Sequence, residues 1–404
     1  MDYNPLSPES RANPYPGYAL LRSEAPVHEI QPFGVFAVSR YRDVLNVLKS
    51  PDVYSSGGMR AMMAGQTGMM GNAANRGRTT TLLEANNLIS SDPPIHDRLR
   101  AVVNRGFTPR RIAALEPRVR EIARACLEHL PSSGEFDLVS TLSMPLPVRV
   151  IAELLGVPPE RLHDFKRWSD VIVTSATGVT DEIDAETSLA TREEFLDYFA
   201  TAIAERRENP TDDLISTLIR AEDGEGTLSE GEVLSFTILL LVAGNETTTN
   251  LLGNALLALT EHPEQLAKVA DNPDMIPGLV EEALRYDSPV QAVMRLTARD
   301  TELAGVDVPK DKMVMLLLGS ANRDEDWLPD AATFDATRDL KGHIGFGFGV
   351  HFCLGASLAR LEARVALEEL FSRCRMLERT TDQVEWIDSL ILRGPKRVAL
   401  RFEA

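Results

Sequence analysis

The chain has 404 residues, of which 44% are hydrophobic and 25% charged, and a formal net charge of −18 from 42 Lys and Arg against 60 Asp and Glu. That balance suits a globular enzyme and makes nucleic acid and anionic membrane poor partners. Three cysteines, Cys126, Cys353 and Cys374, are too few and odd in number for a disulfide framework, which points to a reducing compartment.

The N-terminal Met1-Asp2-Tyr3-Asn4-Pro5 has neither the basic nor the apolar region of a signal peptide. Val35–Val38 reads as a short strand and Tyr41–Leu48 as a helix. Between Ser55 and Asn87 periodicity disappears. Gly, Ala, Asn and Thr dominate there, with Met59, Met62, Met63, Met69 and Met70 among them, so a long mobile surface loop is expected. From about 94 to 275 the pattern is mostly helical, punctuated by Pro131, Pro145, Pro158-Pro159 and Pro210. Val119, Ile122 and Cys126 share a helical face, which places Cys126 in a core, as Cys374 is at the end of the last helix. Strand-like runs return at Val290–Leu296, Met313–Leu318 and Val398–Phe402. The expectation is one domain over 1–404, mainly α with a smaller β-rich part (α+β). The β-rich portions are about 30–55, 290–345 and 385–404; the helical body is about 94–285 and 354–374.

Ser229-Glu230-Gly231-Glu232 has the form of a capping box and opens a long helix, apolar on all sides from Val233 through Leu259. Its most apolar run, Val233–Gly244, is shorter than the ~20 residues a bilayer span needs. The middle of this helix breaks local rules. Ala243-Gly244-Asn245-Glu246-Thr247-Thr248-Thr249 places a glycine, a charge and three β-branched alcohols where the surroundings are buried. Such conflicts tend to mark functional sites, the bland alternative being a solvated patch or a threonine back-bonded kink.

The most informative stretch is Phe346-Gly-Phe-Gly-Val-His-Phe-Cys-Leu-Gly355. It sets Cys353 at the end of a glycine-rich turn, before a helical stretch in which Leu354, Leu358, Leu361 and Val365 recur at helical spacing. Unpaired backbone N–H groups and the helix dipole favour a thiolate there. Gly347 and Gly349 let the backbone pass close to something flat. An anionic sulfur, amide donors and room for a macrocycle are what a thiolate ligand to haem iron requires. Core packing of Cys353 would explain neither the glycines nor His351.

This decapeptide resembles the haem-binding loop of the cytochromes P-450, Phe-Gly-x-Gly-x-His-x-Cys-x-Gly, without a departure. A chance match of its fixed positions is on the order of 10⁻⁵. The resemblance runs from about residue 10 to the C-terminus and points to the soluble bacterial type. It implies haem b (iron protoporphyrin IX) with Cys353 as axial ligand, and Phe346, Gly347 and Gly355 forming its loop. The Ala-Gly-x-Glu-Thr-Thr pattern is met in full, so Glu246 and Thr247 form the implied acid–alcohol pair that delivers protons, with Gly244 opening room for O2. Glu282-Ala-Leu-Arg285, about 70 residues before the cysteine, and Arg338 match the family's buried structural triad. His96, Arg100, Arg295 and His351 match positions that hold the haem propionates. The substrate pocket maps to Leu88, Ile89, Leu240, Ala243, Val290, Ala292, Val293, Leu390 and Ile391, with Gln291 its main polar member. His28, His129, His163, His262 and His343 lack metal-ligand spacing and receive no role.

The implied activity is a monooxygenase inserting one oxygen atom from O2 into a C–H bond of a hydrophobic small molecule: a terpenoid, steroid, fatty acyl chain, macrolide or aromatic. The family's chemistry extends to epoxidation and dealkylation. The methionines of 59–70 suit an adaptable entrance lid. Gly224-Glu225-Gly226 lacks the strand–Gly-x-Gly-x-x-Gly–helix context of a dinucleotide site. Electrons from NAD(P)H are therefore expected through a ferredoxin and its reductase, docking near Cys353 on Arg98, Arg105 and Arg360. The protein is expected to be a cytoplasmic monomer without membrane contact. The rival readings are a peroxide-driven peroxygenase, which typically replaces the acid–alcohol pair, and a haem-binding sensor, which has no need of one.

Overall fold

The computed structural model describes residues 3–5, 7–57, 85–177, 185–220, 228–374 and 376–403. By packing, the chain divides into two compact units. The first comprises Met1–Gly58, Leu115–Leu146 and Thr247–Ala404; the second comprises Met59–Ala114 and Pro147–Glu246.

All ten strands among the described residues belong to the first unit: β1 (Val27–Ile30), β2 (Val35–Val38), β3 (Tyr54–Ser55), β4 (Ser133–Asp137), β5 (Ala292–Thr297), β6 (Thr301–Leu303), β7 (Val306–Val308), β8 (Met313–Leu317), β9 (Met376–Arg379) and β10 (Ala399–Glu403). A five-stranded sheet has the order β1-β2-β8-β5-β3, a three-stranded sheet the order β4-β10-β9, and β6 and β7 form a hairpin. β2 and β8 run parallel, Phe36 opposite Val314 and Val38 opposite Leu316, while β5 pairs antiparallel with β8. The apolar faces of these strands pack against Val44, Val47 and Leu48 of the amphipathic helix Tyr41–Leu48. The strand at 35–38, the helix at 41–48 and the later strands fall where the sequence pattern places them, within two residues.

In the same unit, the helix Ile276–Tyr286 is tied to the following chain by a fully buried ion pair. Arg285 forks onto Glu282 at 2.7 and 2.8 Å, and both side chains are 0% exposed. The remaining guanidinium donors go to the carbonyls of Asn322, Ala331 and Thr333, and Glu282 also accepts from the Asp335 N–H. Arg338 brings its Nε to 3.7 Å from Glu282. A buried pair of this kind is expensive to break, about 3–5 kcal/mol when one partner is lost, because the other charge is left unmatched.

A second charge network joins the helices Glu116–Leu127 and Ala356–Arg373. Arg120 contacts Glu116, Glu368 and Glu369, Arg124 contacts Glu369, and Arg364 contacts Glu116 and Glu368. Cys374 caps the second of these helices and is buried, whereas Cys126 is only half-buried, since it lies at the edge of its helix's packed face.

In the second unit, the helices Leu162–Thr177 and Ala185–Glu208 pack through an aromatic cluster in which Trp168 meets Phe195 and Phe165 meets Phe199. The helix Glu230–Glu261 starts in this unit and runs, at ~1.5 Å per residue, for close to 50 Å. Its capping box is formed in both directions: the Glu232 N–H donates to Ser229 Oγ and the Ser229 N–H to the Glu232 carboxylate.

Candidate active site

The cysteine loop is built within the first unit. A turn at Gly349–His351 leads into Cys353, and the helix Ala356–Arg373 begins just beyond. The Cys353 N–H donates to the Phe346 carbonyl at 2.9 Å, and Phe352 N–H to the Gly349 carbonyl at 3.1 Å, which closes the loop on itself. Gly347 and Gly349 both adopt positive φ, +71° and +72°. At Gly349 there is a second constraint, because a Cβ would stand 2.8 Å from the Leu48 carbonyl oxygen. Only glycine meets both demands. Beside Gly355 nothing lies within 4 Å of where a Cβ would be, Cys353 is half-buried, and Phe348 and Phe352 are exposed at 41% and 40%. The donor set is therefore one accessible sulfur on an open, glycine-lined loop at the head of a helix. That set fits a thiolate-ligated haem and does not fit a multidentate metal centre; among the described residues no group of three or more His, Cys, Asp or Glu could hold a metal ion.

The long helix supplies the opposite kind of surface. It is buried from Val233 to Thr237 and again from Thr248 through Leu259; between them Leu241 and Asn245 stay buried, while Leu239, Leu240, Ala243, Gly244, Glu246 and Thr247 are exposed or half-buried. Leu240, Ala243 and Thr247 recur at i, i+3 and i+7, so one face of an apolar helix is left uncovered at the Ala-Gly-x-Glu-Thr segment. Neighbouring polar side chains are absorbed elsewhere. Asn245 donates to Ser169 Oγ at 3.0 Å, and Thr249 to the Ser143 carbonyl at 3.0 Å. Thr248 hydrogen-bonds Glu362, whose burial pushes its carboxyl up to about 8 against an ordinary 4.5. A Cβ at Gly244 would meet Ile151 Cδ1, the outer end of that side chain.

The four candidate propionate cations divide two and two. In the second unit, His96 is buried with Nδ1 3.1 Å from Asp97, and Arg100, one turn on, reaches Asn104 at 3.1 Å. In the first unit, Arg295 is 7% exposed and donates to the Met294 carbonyl, and His351 Nε2 lies 2.8 Å from Ser56 Oγ.

Several expectations need correction. On β5, Ala292 is packed at 1% exposure while Val293 faces the other way, so the two cannot line one surface. Gln291 is buried, its Nε2 donating to Tyr15 Oη and the Ser288 carbonyl. Leu88 is buried at 8%; Ile89, Val290, Val293 and Ile391 are half-buried and Leu390 is exposed. Arg98 is no free docking cation: it grips Glu232, the capping-box carboxylate. Arg360 pairs with Glu281, and His343, which received no role from its spacing, contacts the same carboxylate. A lone Glu beside Glu-x-x-Arg carries no signal of this, since the pairing is long-range. Met59 to Met70 and Gly224-Glu225-Gly226 lie outside the described residues.

A helical fold with small sheets, a cysteine on a glycine loop at a helix head, and an uncovered acid–alcohol segment define a haem-thiolate protein. The cytochrome P450 family profile matches residues 148–278 and 274–402. The chain is 42% identical over 392 residues to a vitamin D(3) 25-hydroxylase of Pseudonocardia autotrophica, covering 96% of this chain and 93% of the relative. Among solved structures it is similar to the cytochrome P450 CYP109Q5 of Chondromyces apiculatus, with TM-score 0.90, 42% identity and coverage of 100% and 98%. A second is CYP109E1 of Bacillus megaterium in complex with corticosterone, with TM-score 0.85, 35% identity and coverage of 98% and 100%. The chain belongs to the cytochrome P450 family and is a monooxygenase of haem-thiolate type. No helix among the described residues is long and apolar enough to cross a membrane.

Proposed function

We propose that this monooxygenase hydroxylates a sterol-sized, largely apolar substrate with electrons from a ferredoxin. The observation that carries the reading is the uncovered face of the long helix, where Leu240 and Ala243 offer apolar contact one turn from Thr247 and Glu246. Two relatives agree on substrate class by their names, one a vitamin D(3) 25-hydroxylase and one bound to corticosterone.

Bound through Cys353, haem iron supplies the reductive activation of O2. The chain supplies the rest. Cys353 presents its sulfur at a helix head, where backbone N–H groups favour the anion. His96, Arg100, Arg295 and His351 neutralise the two propionates, a need sharpened by the net charge of −18. Thr247 Oγ1 holds a proton at the uncovered face, and Glu246, half-buried next to it, replenishes that proton from water. Leu240, Ala243 and Val293 exclude water around the substrate. Electron entry is proposed beside Cys353, where Phe348 and Phe352 give an exposed apolar surface for a small iron–sulfur protein.

The test is turnover of a sterol panel with isotopically labelled O2, NADH and surrogate ferredoxin and reductase. Label in a hydroxylated product, dependent on both redox proteins, supports the reading. Product formed from hydrogen peroxide alone at an equal rate would establish the peroxygenase alternative, and ligand binding without product would establish the sensor.

A further inference from the structure

A cluster behind the cysteine loop joins Arg360, expected at a docking surface, to Glu281 and His343, which have had no role so far. Arg360, on the helix Ala356–Arg373, makes a two-point contact with Glu281, Nε to Oε1 at 2.6 Å and a terminal nitrogen to Oε2 at 2.8 Å. Its guanidinium also stands 4.6 Å from the centroid of the Phe346 ring. The same Glu281 Oε2 lies 2.9 Å from His343 Nε2. Because the Gly345 N–H donates to His343 Nδ1 at 3.2 Å, the Nε2 atom is the one that carries the hydrogen and donates to the carboxylate. Burial works against ionised Glu281, but Arg360 and His343 outweigh it and hold the carboxyl down to about 2. At Gly345 a Cβ would stand 2.7 Å from the Leu284 carbonyl oxygen, so the start of the loop lies directly on the helix that carries Glu281. Phe346, fixed from one side by this cluster and from another by the edge of Phe352, is the residue whose carbonyl accepts the Cys353 N–H.

We propose that Glu281, acting through Arg360 and His343 on Phe346, is a positioning residue that fixes the Cys353 sulfur and balances the charge behind the loop that carries it. The proposal rests on the haem-thiolate reading above. Two neighbouring glutamates on one helix thus divide the work: Glu282 pairs with Arg285 to hold the fold, and Glu281 pairs with Arg360 to hold the ligand loop. An Arg–carboxylate fork is more rigid than a single contact, and a cation over an aromatic face adds attraction that depends on the ring's place. The charges matter separately from the geometry. Reduction adds one negative charge to the iron centre, so a nearby cation stabilises the reduced form and a nearby anion the oxidised form.

The experiment measures the reduction potential of the haem-loaded full chain and the fraction of its reduced CO complex that keeps the thiolate-type band. Variants Glu281→Gln, Arg360→Gln and the double substitution are compared, with thermal midpoints as controls. The potential is expected to rise in Glu281→Gln, which leaves Arg360 uncompensated, and to fall in Arg360→Gln, which leaves the carboxylate uncompensated. The double variant is expected to return towards the parent potential while losing thiolate-type band relative to it. Shifts of the same sign in both single variants, or no shift in either, overturn the proposal, since a purely structural role gives no reversal of sign. If either single variant fails to load haem, Arg360→Lys carries the test: charge is kept and the fork is lost. An unchanged potential with a larger thiol-type fraction supports positioning, and a parent-like spectrum refutes it. A parent protein that itself lacks the thiolate-type band overturns the haem-thiolate reading instead.

Discussion

Thr247 and Thr248 show how neighbouring positions on one helix separate into chemical and structural tasks. Thr247 faces the uncovered stripe, whereas Thr248 turns inward and donates to the buried Glu362. Thr247→Ala is expected to keep substrate binding but divert electrons to hydrogen peroxide, lowering product per NADH by roughly tenfold or more. Unchanged coupling, measured as product against NADH and peroxide, would remove Thr247 from the proton path. Glu362 titrates in a way that touches stability. Its folded carboxyl keeps a proton up to about 8, while the unfolded chain releases it near 4.5. Between those values the native state binds the extra proton, so this group makes stability fall as pH rises, by at most ~1.4 kcal/mol per pH unit. Glu362→Gln is therefore expected to raise the thermal midpoint at pH 7 and to flatten that part of the stability profile. A variant as pH-dependent as the parent would show that Glu362 is ionised in the native state.

At the scale of elements, the long helix is held at its start by a cap and uncovered in its middle. Both features were visible in the sequence: Ser229 and Glu232 by their spacing, and the Gly244–Thr249 segment by its conflict with a buried helix. Ser229→Ala is expected to cost about 0.5–2 kcal/mol in denaturant unfolding without altering the bound-haem spectrum. A spectral change would mean that the cap also positions the stripe. Other features could not be read from the chain. β4 and β9 are five and four residues long and partly polar, and they exist because a distant partner pairs with them, Ser133 with Glu403 and Met376 with the same residue. Local pattern carries no trace of such pairings. Which side chains turn inward at Gln291 and Ala292 is set in a related way, by strand alternation and by the buried Tyr15–Gln291–Ser288 contacts. The partners of Arg98 and Arg360 are likewise long-range, Glu232 and Glu281, and a basic residue on a helix does not announce its carboxylate.

For the whole molecule, the family assignment joins a cysteine loop that was legible residue by residue to a helix whose role depends on its exposure in the fold. The net charge of −18 makes cations scarce, and several arginines are committed: Arg285 to Glu282, Arg360 to Glu281, and Arg120, Arg124 and Arg364 to Glu116, Glu368 and Glu369. A redox partner is then expected to rely on apolar contact at Phe348 and Phe352 more than on salt bridges, so raising ionic strength should change its association rate only modestly. Stopped-flow reduction that slows by orders of magnitude between low and physiological salt would indicate a charge-steered encounter instead. The most direct measurement is the absorption spectrum of the reduced, haem-loaded protein under carbon monoxide. A far red-shifted Soret band, lost in Cys353→His, is the predicted result and establishes thiolate ligation by that residue. A band like that of a histidine-ligated haem in the parent protein, or the same red-shifted band surviving without Cys353, would contradict it.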